Sequence, residues 1–202
     1  MEDKYKKELL DTLYKQFVIY GIFEDRFRLL KSVFEEYKSN PLGANTNFFL
    51  SMMYTYRTCV IIDLCKLFIV PKEEGAKDRY KRSSQHINFF YTITAYKDIL
   101  GESASEVHQI LTSLLDKIQL IVDERNLELV HKDSSTGTEV KLDVKYMNEI
   151  ETLVIKSREI LDILFKSQEC EIVLEKDHSK MRTLKKIIEF LNLEQDKSIL
   201  LK

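Results

Sequence analysis

The sequence predicts an all-α protein, a bundle of long antiparallel helices. Only 5 Gly and 2 Pro occur in 202 residues, so few positions force a helix to stop. Apolar residues recur at three- and four-residue spacings through most of the chain, and strict alternation is confined to residues 138–144. A hydrophobic share of 44% is enough for a packed core.

Leu9, Leu10, Leu13, Phe17 and Ile19 set the rhythm of a first helix, which Ile22, Phe23, Phe27, Leu29, Leu30, Phe34 and Tyr37 continue. Gly21 is a point where it can bend, and Asn40-Pro41-Leu42-Gly43 ends it. A second helix spans about Asn45 to Ile69, stopped by Pro71. Phe48, Phe49, Met52, Met53, Tyr56, Val60, Ile61, Leu64, Leu67 and Phe68 make it apolar on most of its circumference, which suits the middle of a bundle or a dimer interface. Asp63 and Lys66 in this helix need partners if buried, and Arg57 reaches neither face-on.

A surface loop follows over Pro71-Lys72-Glu73-Glu74-Gly75. Lys77, Arg79, Lys81 and Arg82, with Tyr80, then form a basic stretch that can meet RNA or simply be a solvated loop. Ser83 or Ser84 caps a third helix carrying Ile87, Phe90, Ile93 and Tyr96, which ends near Gly101. Ser103 or Ser105 starts a fourth, with Val107, Ile110, Leu111, Leu114, Leu115, Ile118 and Val122 on one stripe, and this helix delivers the chain to Arg125. Val140, Leu142 and Val144 share one side of a short extended segment.

A fifth helix runs from about Lys145 to Ser167 through Ile150, Leu153, Val154, Ile160 and Leu161. Glu171 to Glu175 fits strand and loop equally. Asp177 or Ser179 caps a last amphipathic helix over about 178–194, with Ile187, Ile188 and Leu191 inward and Lys180, Arg182, Lys185 and Lys186 outward, and the tail after Glu194 frays. No repeat or Gly-, Pro- or Ser-rich linker divides the chain, so one domain is expected over 1–202, with its central part over about 44–167.

The 31 basic and 33 acidic side chains give a net charge of -2, which argues against broad coating of nucleic acid but allows one local RNA site. Cys59, Cys65 and Cys170 are scattered and suit reduced thiols. His86, His108 and His178 have no ligand spacing and there is no Gly-rich phosphate loop, so neither metal nor cofactor is expected. The N-terminus lacks an apolar signal core, and the run Cys59 to Val70, interrupted by Asp63 and Lys66, is too short for a bilayer. The expectation is a cytoplasmic protein, and the bias toward Lys and Ile over Gly and Pro fits an AT-rich bacterial genome.

The segment richest in chemistry is Arg125-Asn126-Leu127-Glu128-Leu129-Val130-His131, followed by the polar run Lys132-Asp133-Ser134-Ser135-Thr136-Gly137. Arg stays protonated and suits a phosphate, whereas His titrates near neutrality and moves protons. His131 follows Arg125 by six positions, a rotation of about 120° on a straight helix, so joint action requires the helix to end or distort between them. Leu127 to Val130 fits extended structure as well as helix, which places His131 at a helix end. That position stabilises an imidazolium by roughly 0.3–1 kcal/mol. Ordinary surface pairing of Arg125, with His131 incidental, is the competing reading.

Arg125-Asn126 followed by His131 and Asp133, at the end of one long helix and ahead of another, resembles the signature of the HEPN superfamily. It is most similar to abortive-infection U-type members, with an Arg-Asn-Lys-x-x-Ala-His-x-Asp pattern. Ile61-Ile62-Asp63-Leu64-Cys65-Lys66-Leu67-Phe68 also resembles that family's central helix. Leu127 stands where Lys is usual, removing one phosphate contact, and Val130 stands where Ala is usual, narrowing the approach to His131. The resemblance implies a HEPN-like bundle and metal-independent RNA cleavage in toxin–antitoxin or antiphage defence. Arg125, Asn126 and His131 would be catalytic, with weak RNA contacts from Lys132, Lys81 and Arg82. It further implies RNA rather than DNA as substrate, a homodimer with a composite cleft, and a possible cognate antitoxin. A non-catalytic helical module that binds a nucleotide, RNA or protein is the alternative.

Overall fold

The computed structural model describes residues 2–39, 46–68, 87–130, 144–170 and 186. Among them the chain is all-α, without a strand, in the order α1 (Glu2–Ser39), α2 (Thr46–Phe68), α3 (Phe89–Ala95), α4 (Lys97–Leu100), α5 (Glu102–Ser113), α6 (Leu115–Val130) and α7 (Val144–Lys166). The surface loop, the basic stretch 77–82, residues 138–143 of the extended segment, Glu171–Glu175 and the last helix, apart from helical Lys186, lie outside the described residues. Val144, expected at the end of the extended segment, instead opens α7.

α1 runs unbroken across Gly21 for 38 residues. Leu9, Leu13, Phe23, Leu30 and Val33 are fully buried along it. α7 lies antiparallel beside α1: Lys31 Nζ meets Glu151 Oε1 at 2.7 Å, and far along both helices Phe17 packs edge-on against Phe165, with ring centroids 6.1 Å apart. Each step forward on α1 is a step back on α7.

α2 is the central helix, packed against α1, α3 and α6. Val60, Ile61, Leu64, Leu67 and Phe68 have no exposed surface. At about 1.5–3 kcal/mol for each large apolar side chain, their burial holds the helix inside. Its 23 residues pass the length and composition expected of a membrane span, correcting the shorter Cys59–Val70 estimate. Its inward face is occupied by protein. Met52, Tyr56 and Ile62 are partly buried, and near the start Phe48 and Leu50 are 40% and 42% exposed.

Asp63 and Lys66 partner each other, and Arg26 of α1 joins them. Asp63, 3% exposed, accepts from Arg26 of α1, and Lys66 Nζ donates to its Oδ1 at 2.8 Å. Two cations at the rim thus neutralise one inward carboxylate.

The third predicted helix starts later than expected. Asn88, not Ser83 or Ser84, is its N-cap, with Oδ1 accepting from Tyr91 N at 2.7 Å. Gln16 of α1 secures this end, donating to Ile87 O at 2.9 Å and Thr92 Oγ1 at 2.8 Å. The chain breaks at Tyr96 and again at Gly101, whose φ of 54° and ψ of -127° suit glycine. Gly101, rather than Ser103 or Ser105, is the N-cap of α5.

The fourth predicted helix is two helices. Leu114 separates α5 from α6. Just before it, the Thr112 and Ser113 hydroxyls donate to the carbonyls of His108 and Ile110 at 2.8 and 2.7 Å, and Leu114 N donates to Leu111 O at 3.1 Å. The buried stripe keeps its three- and four-residue spacing across the break. Val107, Leu111, Leu114, Ile118 and Ile121 are buried, whereas Leu115, expected inward, is 40% exposed.

Asp63→Ala removes the acceptor of two cations. Because the Arg26 and Lys66 side chains are 38% and 45% exposed, both can rehydrate. The loss should fall below the roughly 3–5 kcal/mol for orphaning a buried charge, at about 1–2 kcal/mol by urea unfolding. A loss at the upper figure would show that the cations stay trapped.

Burial pushes the Cys65 thiol up to about 11 despite the opposing charge of Arg125. It likewise pushes Tyr146 up to about 12 and raises Tyr20, where nearby Glu24 adds to the effect. These groups ionise more readily unfolded, so their stabilisation is complete below pH 9 and is lost as pH rises toward 11–12. Cys65 contributes up to about 2–3 kcal/mol of that loss. Unfolding of Cys65→Ala should show a shallower fall in stability across this range, and an unchanged slope would exclude Cys65 as a source.

Candidate functional site

α6 carries the first half of the motif. It does not end or distort after Arg125: helical backbone continues through Leu127 to Val130, correcting the extended alternative for that stretch. Arg125 is half-buried and Asn126 exposed. The guanidinium Nη2 donates to Asn126 Oδ1 at 3.1 Å, so the two polar side chains form one unit on the last turns of the helix. His131, Lys132, Lys81 and Arg82 lie outside the described residues.

The surroundings of Arg125 are set by α2 and by its neighbours on α6. Cys65 of α2 is close enough for the guanidinium charge to act on its thiol, which burial keeps protonated. Cys65 Sγ donates weakly to Ile121 O at 3.8 Å, one turn before Arg125. Asp123 accepts from Gln119 Nε2 at 2.6 Å. Glu124 is engaged by Arg57 of α2.

The Arg57 cluster has a sequence signal: a lone arginine flanked by Met53, Val60 and Ile61 on the helix most committed to the core. Sequence reasoning measured Arg57 only against Asp63 and Lys66 and missed Glu124, which is distant in the chain. Arg57 is 2% exposed, its guanidinium carbon lies 5.2 Å from the centroid of the Tyr146 ring, and Nη2 donates to Glu124. The cation thus joins α2, α6 and α7. Tyr146 is held in its neutral form by burial, with Arg57 opposing that shift.

Glu124 and Tyr146 also line a cleft of about 510 Å³ between α6 and the start of α7, with Asp116, Leu120, Lys145 and the Lys117–Glu149 ion pair. A second cleft, of about 420 Å³ between α3 and α5, is lined by Thr94, Lys97, Ser105, His108 and Gln109. Among the described residues no three His, Cys, Asp or Glu side chains cluster as metal ligands would.

Chemically, the Arg125–Asn126 unit offers a permanent cation and a neutral amide. It can neutralise and orient a phosphate, but it holds no group that exchanges a proton near neutrality. Comparison with protein-family models, curated proteins and solved structures finds no match for this chain.

Proposed function

We propose that the protein is a HEPN-type, metal-independent endoribonuclease acting in toxin–antitoxin or antiphage defence. The observation that carries this reading is the order Arg125-Asn126-x-x-x-x-His131 at the end of a long helix, ahead of another long helix. The hydrogen bond from Arg125 to Asn126 supports it, because it leaves the arginine's charge joined to a neutral group.

In this mechanism the RNA 2′-OH attacks the adjacent phosphorus. His131 takes the hydroxyl proton as general base. The new bond closes a 2′,3′-cyclic phosphate, and the 5′-oxygen leaves with a proton supplied by the second motif of a homodimer or by water. Arg125 neutralises the charge that builds on the phosphoryl oxygens; because helical backbone continues from Arg125 through Val130, the arginine of one copy would act with the histidine of the other. Asn126 orients Arg125. DNA, lacking the 2′-OH, is not cut. A second motif across a two-fold axis completes the cleft, and a cognate antitoxin restrains the enzyme.

Leu127, at a position where the resembled family carries Lys, favours a second reading: a HEPN-like module that binds RNA, a nucleotide or a protein without cutting.

RNA incubated with the purified protein in excess EDTA should yield 2′,3′-cyclic phosphate ends. His131→Ala and Arg125→Ala should each lower the rate by about 10²-fold or more. A folded wild-type protein that leaves several RNAs intact would sink the nuclease reading in favour of the binding module.

A further inference from the structure

Beyond Ile121, 1% exposed, α6 has no fully buried apolar side chain through residue 126: Val122 is partly buried, and Asp123 and Asn126 are exposed. Yet this stretch carries Arg125. Val122 packs against the core, and the ion pair of Glu124 with Arg57 ties the stretch to α2 by charge.

We propose that Arg57 is a positioning residue for Arg125, acting through Glu124; this rests on the ribonuclease reading of the motif. Glu124 and Arg125 are consecutive, about 100° apart around the helix, so fixing one side chain's azimuth fixes the other's. Arg57 is suited to that task. Its side chain is 3% exposed, its planar fork matches a carboxylate, and its cation lies over the Tyr146 ring of α7. Rotation of the α6 end therefore disturbs contacts to both α2 and α7. A displacement of about 1 Å at a reacting centre lowers rate by up to about 10²-fold, so the clamp acts on turnover rather than on substrate affinity.

Arg57→Lys keeps the charge and loses the fork and the stacking. In the RNA cleavage assay it should lower kcat by about 10-fold or more while KM stays within about 3-fold. In an Arg125→Ala background the same substitution should produce little further fall, because the residue it positions is gone. Equal falls in both backgrounds would overturn the proposal. Amide hydrogen exchange supplies a readout that needs no RNA. Arg57→Met, or Glu124→Gln if the former does not fold, should speed exchange over residues 122–130 by about 10-fold, with residues 102–113 unchanged. Unaltered exchange over 122–130 would overturn the clamp. A wild-type protein that cleaves no RNA would remove the ribonuclease reading alone, and the exchange measurement then decides whether Arg57 holds α6.

Discussion

The bundle depends on placing α2, which carries Arg57, Asp63 and Lys66, in its centre. Five side chains of this helix lose all contact with solvent, and their burial favours the interior by an amount on the order of 10 kcal/mol. Removing an unpaired ion from water costs several kcal/mol, so the inward charges must find partners. Asp63 meets Arg26 of α1, and Arg57 meets Glu124 of α6. The apolar residues commit the helix to the core, whereas the charges specify which neighbour lies on which side. A rotation of α2 would keep much of its apolar contact but separate both pairs.

Long-range charge pairing was the part least legible in the sequence. Periodicity marks which side of a helix faces inward, and it places both ends of α2 and α7, and the C-terminal end of α1, within a residue or two. It carries no information on which distant carboxylate a buried arginine will meet. Arg57 therefore stood out as a charge in an apolar helix without revealing Glu124. The Arg125–Asn126 pair was legible as a local pattern, since consecutive polar residues need no tertiary partner to form a unit. Helical backbone carries the chain on from this pair to Val130.

Helix interruptions show a related limit. An apolar series spaced by three and four continues from Val107 to Val122, and hydrophobic pattern alone joins it into one helix. The backbone departs from that continuity at Leu114, whose N–H donates to Leu111 O in a tighter turn. Leu114 remains buried across the break, while Leu115 turns outward. Asn88 acts in the same local way, pre-empting the earlier serines because its side chain reaches Tyr91 N. In both cases a local contact with the backbone marks a boundary that apolar spacing leaves open.

These two levels meet at Arg125. An arginine that is to hold a phosphate must keep its charge uncompensated yet be held in place, and these demands oppose each other because an acidic partner supplies the simplest fixation. Among the described residues, Glu124 is paired with Arg57, and Asp123 accepts from Gln119. The nearby Cys65 thiol is kept protonated by burial, so it contributes no counter-charge. Asn126, the hydrogen-bond partner of Arg125, is neutral. Fixation is thus transferred to the preceding residue, whose carboxylate is neutralised by a buried cation on another helix. Among the described residues the hydrogen-bond partner of Arg125 is neutral, and the interior supplies the rigidity.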